Sequence, residues 1–298
     1  MMSLFFWLLF CSIFIGAPTF IYMVKNDTMG LFGGLPSLSD LEKPKTDLSS
    51  ELISADGVSL GKYFRKNRTA IIYDELSPEL INTLLVTEDY RFKEHSGIDL
   101  KALLRAIFGK LTFQFKGGGS TLTMQLAENL YGTNSQNQGA IYTISSLGEI
   151  VTKLKEWIIA LQLEQSYTKE EILAMYLNTV EYGSNSFGIQ VAAKTFFNKL
   201  PSELDYQESA SLIGSINKPT RYNPVYNPND AKAKRTEVLY NLLKYDIIER
   251  SLYDSLVQKP LLLNYKVDNQ HQGLATYFRS VIRNRLMNWC KENGYDLF

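Results

Sequence analysis

The 298-residue sequence predicts a mainly α-helical body behind a single N-terminal transmembrane helix. Three observations predict it. Leu4–Val24 (LFFWLLFCSIFIGAPTFIYMV) carries no charged residue, and at about 1.5 Å per residue such a run spans roughly 30 Å, the thickness of a bilayer core. From Ser77 onward, helix-start signals recur between apolar runs of helical period. A strand pattern is confined to one short stretch around Asp56-Gly57.

Composition narrows the function classes. Hydrophobic residues make up 45% and charged residues 21%, which is ordinary for a folded protein. Lys+Arg and Asp+Glu are equal at 31 each, so there is no basic footprint for nucleic acid. Two cysteines, Cys11 and Cys290, argue against a disulfide framework or a cysteine metal site.

The elements follow in chain order. Residues 1–25 form the anchor. A cleaved signal peptide is the rival reading, but its apolar region is usually shorter and ends in an Ala-x-Ala-like site, which this segment lacks. A buried core helix is a third reading. No Lys or Arg precedes the segment and Lys25 follows it, so charge does not set its orientation. Residues 26–50, rich in Gly, Pro and Ser, read as a juxtamembrane linker. ELISADGVSLGKYF then reads as a hairpin around a type I′ Asp56-Gly57 turn.

Helices follow within a body spanning 51–257. Ser77-Pro78-Glu79 opens one, with Pro at its first position. Others run over Asp99–Phe108, from Ser120-Thr121 to Tyr131, and over Ser146–Gln165, the longest. Capping boxes at Thr168–Glu171 and Asp205–Glu208 open two more, and another covers Asp230–Tyr245. Leu103–Gly119 mixes Phe108, Phe113 and Phe115 with Arg105, Lys110 and Lys116. That suits either a membrane-interface segment or a core helix followed by a surface loop. Residues 258–298 form a C-terminal extension.

Several residues can carry chemistry. Glu88 and Asp89 end a helical run, and adjacent helix positions do not face each other, so they have different tasks. A carboxylate half-buried by Tyr90 and Phe92 has a raised pKa and suits a general base or acid; a solvated helix end is the alternative. His95 alone is equally a structural hydrogen-bonding residue. In GGGSTLTMQLAENL, Ser120 and Thr121 stand at a helix start, a natural anion site, with Gln125 and Asn129 on one face of the helix that follows. A linker with an ordinary helix cap fits those residues as well. Lys153 and Glu156 share a face flanking the apolar stripe of the long helix, while a surface ion pair between Glu149 and Lys153, four apart, is the plainer reading.

Taken in order, the motifs resemble the peptidoglycan glycosyltransferase family 51, which comprises monofunctional transglycosylases and the N-terminal parts of class A penicillin-binding proteins. Glu88-Asp89-x-x-Phe92-x-x-His95-x-Gly97 is similar to its first motif. Gly118-x-Ser120-Thr121-x-Thr123-x-Gln125-Leu126 is similar to the second, Thr152-Lys153-x-x-Glu156 to the third, and Lys169-x-x-Ile172-Leu173-x-x-Tyr176-Leu177-Asn178 to the fourth. Arg235-x-x-Val238-Leu239 is similar to the fifth. HQGLATYFR, in the extension, resembles the linker before a transpeptidase domain.

The resemblance implies a lysozyme-like, two-lobed fold whose smaller lobe dips into the membrane. It implies that Glu88 is the general base that deprotonates the 4-hydroxyl of lipid II. Lys153 and Glu156 stabilise the undecaprenyl pyrophosphate leaving group, with Mg²⁺ or Mn²⁺ as a possible cofactor. Asp89, Phe92 and His95 shape the site, and Ser120, Thr121, Gln125, Asn129 and Asn178 contact substrate. Partners are lipid II, the growing glycan, the bilayer, and transpeptidases or other wall-synthesis proteins, with no nucleic acid. The implied location is the extracytoplasmic side of the bacterial cytoplasmic membrane.

Two positions depart from the family. It usually has Arg at Thr152 and Lys at Glu128. If both face the ligand, the loss is several kcal/mol, since charge-assisted contacts are worth about 1.5–3 kcal/mol each. Lys155 is one replacement base, and a metal bridging Glu128 is another remedy. The departures keep a catalytically impaired, membrane-anchored scaffold as an alternative, with a lysozyme-like hydrolase a further one.

Overall fold

The computed structural model describes residues 7, 10, 12–37, 50–63, 70–112, 118–131, 139–267 and 275–295. In chain order these form helix α1 (Ala17–Lys25), a hairpin of β1 (Ser50–Ile53) and β2 (Ser59–Tyr63), and helices α2 (Pro78–Glu88), α3 (Leu100–Leu111) and α4 (Leu122–Tyr131). Then come α5 (Ser145–Ser166), α6 (Lys169–Thr179), α7 (Ile189–Phe197), α8 (Tyr206–Ile216), α9 (Pro228–Lys244), α10 (Arg250–Gln258) and α11 (Thr276–Asn293). The protein is thus mainly α.

Part of the expected anchor, six residues of Leu4–Val24 (4–6, 8, 9 and 11), lies outside the described residues, as do 38–49, Phe113–Gly117 and the first four residues of HQGLATYFR. Among the described residues no helix is long and apolar enough to cross a membrane.

The chain divides into two compact units. One joins Met1–Lys45 to Arg91–Ile172, and the other joins Thr46–Tyr90 to Leu173–Phe298. In the first, α5 is the spine, and α4 and α1 pack on it. Val24, Phe32 and Val151 form a small core there. Leu100, Leu104 and Phe108, four apart on α3, are all more than half exposed, so one face of that helix is an apolar stripe.

In the second unit, α2 packs on α8 and α9. Val86, Ala210, Val238, Leu239, Leu242, Ile248 and Leu256 close the core. The start of α2 is fixed from the sequence. Pro78 holds the first position, Ser77 Oγ accepts from Leu80 N at 3.1 Å, and the same hydroxyl donates to Leu204 O at 2.9 Å. Both expected capping boxes form. Thr168 N donates to Glu171 Oε2 at 2.7 Å, and Asp205 N to Glu208 Oε2 at 3.1 Å.

The hairpin forms with a different turn. Type I′ needs positive φ at both central residues, and of Asp56 and Gly57 only Gly57 has it, at 82°. Gly57 N instead donates to Ser54 O and Ser54 N to Val58 O, both at 2.9 Å, which closes a longer loop with Gly57 in the left-handed position. Gly61 of β2 leaves room for the guanidinium of Arg279, through which α11 seats on the hairpin.

Candidate active site

In the second unit, α2 ends on Glu88, and Asp89 caps it, its N–H donating to Leu85 O at 3.0 Å. Glu88 is half-buried and Asp89 buried, so the two neighbours do sit in different surroundings. Tyr176 lies close to Glu88. Its phenol is fully buried, and burial first, then the charge of Glu88, pushes its pKa well above the ordinary tyrosine value. Tyr90 stacks on Tyr245 with ring centroids 4.0 Å apart.

Asn178 does not present its amide to a ligand. Nδ2 donates to Ile71 O at 2.8 Å and Oδ1 accepts from Ile71 N at 3.1 Å. Both ends of the amide clamp one residue's main chain. The geometry is that of a structural clamp.

In the first unit, the rest of the first motif is a tight turn. Phe92 is fully buried, with His95 edge-on at 6.1 Å. Arg91 grips Asp99 through Nε, at 3.0 Å, and Nη2, while Asp99 Oδ1 accepts from Ala102 N and so caps α3. Gly97 has φ 89°, and a Cβ there would come within 3.0 Å of the Ala160 carbonyl. Only glycine fits this approach to α5 without strain.

Thr121 ties the second motif to that turn. Its hydroxyl donates to Gly97 O at 2.6 Å and accepts from Met124 N at 3.2 Å, so it caps α4 and is buried. It is therefore a joint between the two motifs. Ser120 beside it is exposed, and Gln125 is half-buried. Asn129 is exposed, with Nδ2 on Gln125 O at 2.9 Å.

Sequence reasoning missed the residue that joins three motifs. Lys169, the first residue of α6, places Nζ 4.1 Å from the Phe92 ring centroid, 2.6 Å from His95 O and 2.8 Å from Glu164 Oε2. Glu164 in turn accepts from the buried Thr123 hydroxyl at 2.6 Å. The available signal was that Lys169 and Thr123 each hold a fixed place in a motif string.

The third motif lies on α5. Lys153 Nζ contacts Glu156 Oε2 at 2.7 Å; the lysine side chain is 51% exposed and the glutamate 1%. Glu156 Oε1 is buried with no hydrogen-bond partner among the described residues. Burial raises the Glu156 pKa, Lys153 opposes this, and the charge of Glu128 raises it further. Glu128 therefore lies within electrostatic reach of this pair. Thr152 is buried. Lys155 is no replacement base: it is 4% exposed and donates to Gly33 O at 3.2 Å.

Among the described residues, no three His, Cys, Asp or Glu side chains stand together to hold a metal ion. Glu156 already shares one oxygen with an ammonium. These side chains do not by themselves fit a divalent cation.

The transglycosylase family profile matches residues 56–243. The chain belongs to that family. It is 32% identical over 262 residues to penicillin-binding protein 1A of Pseudomonas aeruginosa, covering 88% of this chain and 30% of that protein. Against penicillin-binding protein 1A of Escherichia coli the values are 30% over 266 residues, 88% and 29%. The crystal structure of penicillin-binding protein 1A from Haemophilus influenzae overlays 82% of this chain and 25% of that one, at a TM-score of 0.46 and 20% identity. This transglycosylase chain thus spans about 30% of the length of the curated relatives it matches. All five motifs fall inside the matched region, from Glu88 to Leu239.

Proposed function

We propose that this chain is a peptidoglycan glycosyltransferase that polymerises lipid II into β-1,4-linked glycan. The reading rests on two charged stations, each built within its own unit, inside the family match. One is a half-buried glutamate at a helix end, Glu88, beside a fully buried phenol. The other is a lysine ammonium, Lys153, held 2.7 Å from buried Glu156.

In this reading Glu88 takes the proton of the acceptor 4-hydroxyl. The oxygen attacks the anomeric carbon of the growing chain, and the bond from that carbon to the pyrophosphate oxygen breaks. The electron pair leaves with undecaprenyl pyrophosphate, and the α-linked donor becomes a β linkage. Lys153 meets the developing negative charge, and preorganised cations of this kind are worth several kcal/mol of barrier. Glu156 holds Lys153 in place. Asp89, Phe92 and His95 shape the acceptor side, while Ser120, Gln125 and Asn129 line the approach to the donor.

The chain acts, on this proposal, at the outer face of the bacterial cytoplasmic membrane. The uncharged Leu4–Val24 run supports this, as does the exposed Leu100, Leu104, Phe108 stripe of α3. Transpeptidases are the natural partners, since linear glycan needs cross-linking.

One observation favours a second reading. Glu128 adds negative charge near Glu156, where a pyrophosphate would have to bind. An impaired enzyme that binds lipid II without turning it over would carry such a change. Incubating detergent-purified chain with lipid II and measuring released undecaprenyl pyrophosphate separates the two. Release with glycan formation supports the synthase, and binding without release supports the scaffold.

A further inference from the structure

Lys155 is a buried lysine that the proposed chemistry does not use. It stands two residues from Lys153 on α5, about 200° around the helix, so the two ammonium groups leave opposite faces. Lys155 Nζ lies 3.2 Å from Gly33 O and 5.6 Å from the centroid of the Tyr142 ring. Burial lowers its pKa, and the charge of Asp27 draws it back up. Gly33 and Asp27 come from the segment that follows α1, and Tyr142 from the turn just before α5.

That segment is tightly made. Asp27 Oδ1 accepts from Phe32 N at 2.8 Å and from Gly33 N at 2.9 Å. Asp27 and Met29 are left-handed without being glycine, at φ 45° and 60°, and Gly30, Gly33 and Gly34 are left-handed too. Leu31 O accepts from Ile141 N at 3.2 Å, just before α5. Phe32 is buried with Val24 and Val151. Non-glycine residues hold such a backbone only where the surroundings over-determine it. Here the surroundings are α5, through Lys155 and Val151, the turn before it, through Ile141, and Val24 of α1.

We infer that Asp27–Gly34 is a built-in brace of the donor side, pegged to α5 by Lys155, and that the peg fixes the helix turn presenting Lys153 and Glu156. Lys155 is then a positioning residue. The brace ties the chain beyond the apolar N-terminal run to the catalytic helix by side-chain contacts, beyond simple tethering. The donor-side role rests on the glycosyltransferase reading above; the brace itself does not.

The test is hydrogen exchange by mass spectrometry on the full chain in detergent, with Lys155→Met and Asp27→Ala beside wild type. Asp27 is partly exposed and reaches the segment from its other end, so it carries the test if Lys155→Met fails to fold. Both variants are expected to speed exchange about tenfold at Phe32 and Gly33, and to loosen the α5 amides around Lys153–Glu156. In lipid II polymerisation, kcat is expected to fall about tenfold with KM within about twofold. Unchanged exchange in 27–34 overturns the peg. Faster exchange there with α5 still protected overturns the positioning role, whether or not the chain polymerises. A wild type that makes no glycan, with the exchange pattern as expected, sinks the glycosyltransferase reading and leaves the brace standing.

Discussion

Lys169 Nζ donates to the main-chain carbonyl of His95 at 2.6 Å, across 74 positions of sequence. The same ammonium pairs with Glu164 and caps the Phe92 ring. One side chain therefore holds the first motif's turn, the end of α5 and the start of α6 together.

Replacing Lys169 by Met leaves Glu164, whose side chain is 6% exposed, with its carboxylate underpaired. Breaking a fully buried pair costs about 3–5 kcal/mol. Lys169 is 27% exposed, so the expected loss is smaller, about 2–3 kcal/mol. Urea unfolding followed by tryptophan fluorescence measures it. Lys169→Met combined with Glu164→Gln should recover part of the loss, and a silent single variant would contradict the joint.

Asn178→Ala removes both hydrogen bonds to the main chain of Ile71. Each orphaned group is worth about 1–3 kcal/mol where buried, so the midpoint of unfolding should drop clearly. The KM for lipid II of the folded fraction should stay within about twofold. Unchanged stability with a much higher KM would return Asn178 to the ligand.

Glu156 gives a pH signature. Burial first, with Glu128 adding, raises its folded pKa above the usual glutamate value of about 4.3. A raised carboxyl pKa means the folded state binds the proton more tightly. Its stabilising contribution is full below about pH 4 and is lost as pH rises through the raised value. Glu156→Gln does not suffer that loss. The difference in Tm, variant minus wild type, should grow from acid to neutral pH even as polymerisation falls. A difference that shrinks over that range would refute the assignment.

Glu128→Lys and Thr152→Arg restore the family's usual charges but should act oppositely. Glu128 is half-buried within reach of Glu156, so Lys there should speed polymerisation. Thr152 is buried, and an arginine would overpack the site at about 1–3 kcal/mol. Gel-resolved glycan and thermal melts on both variants check this. A Thr152→Arg chain as stable as wild type would show that the position opens to solvent.

The helices were legible where local chemistry marks them. Ser77, Thr168 and Asp205 each cap a helix through their own side chains or those three residues on, a signal within four residues of sequence. Helix α7 was not read, because it opens at Gly188, where φ is 84°, a Cβ would lie 2.9 Å from Asn178 O, and no side chain caps the helix. The Asp56-Gly57 turn was misread because a dipeptide does not report loop length. Of the site, Glu88, Lys153 and Glu156 were legible as motif members. The engagement of Thr121 and Asn178 with main chain was not, since Gly97 and Ile71 lie 24 and 107 positions away. Distance in sequence hides such joints, and burial of Thr152 and Lys155 is equally invisible in a helix whose stripe is broad.

The most direct test of the account is lipid II polymerisation by the wild-type chain beside Glu88→Gln, with products resolved by gel. Glu88 is half-buried at a helix end, so the amide should fold like the wild type. Removing a general base lowers rates by about 10²–10⁴-fold. The account predicts long glycan from the wild type and none visible from Glu88→Gln at equal binding of lipid II. Equal glycan from both chains would contradict it.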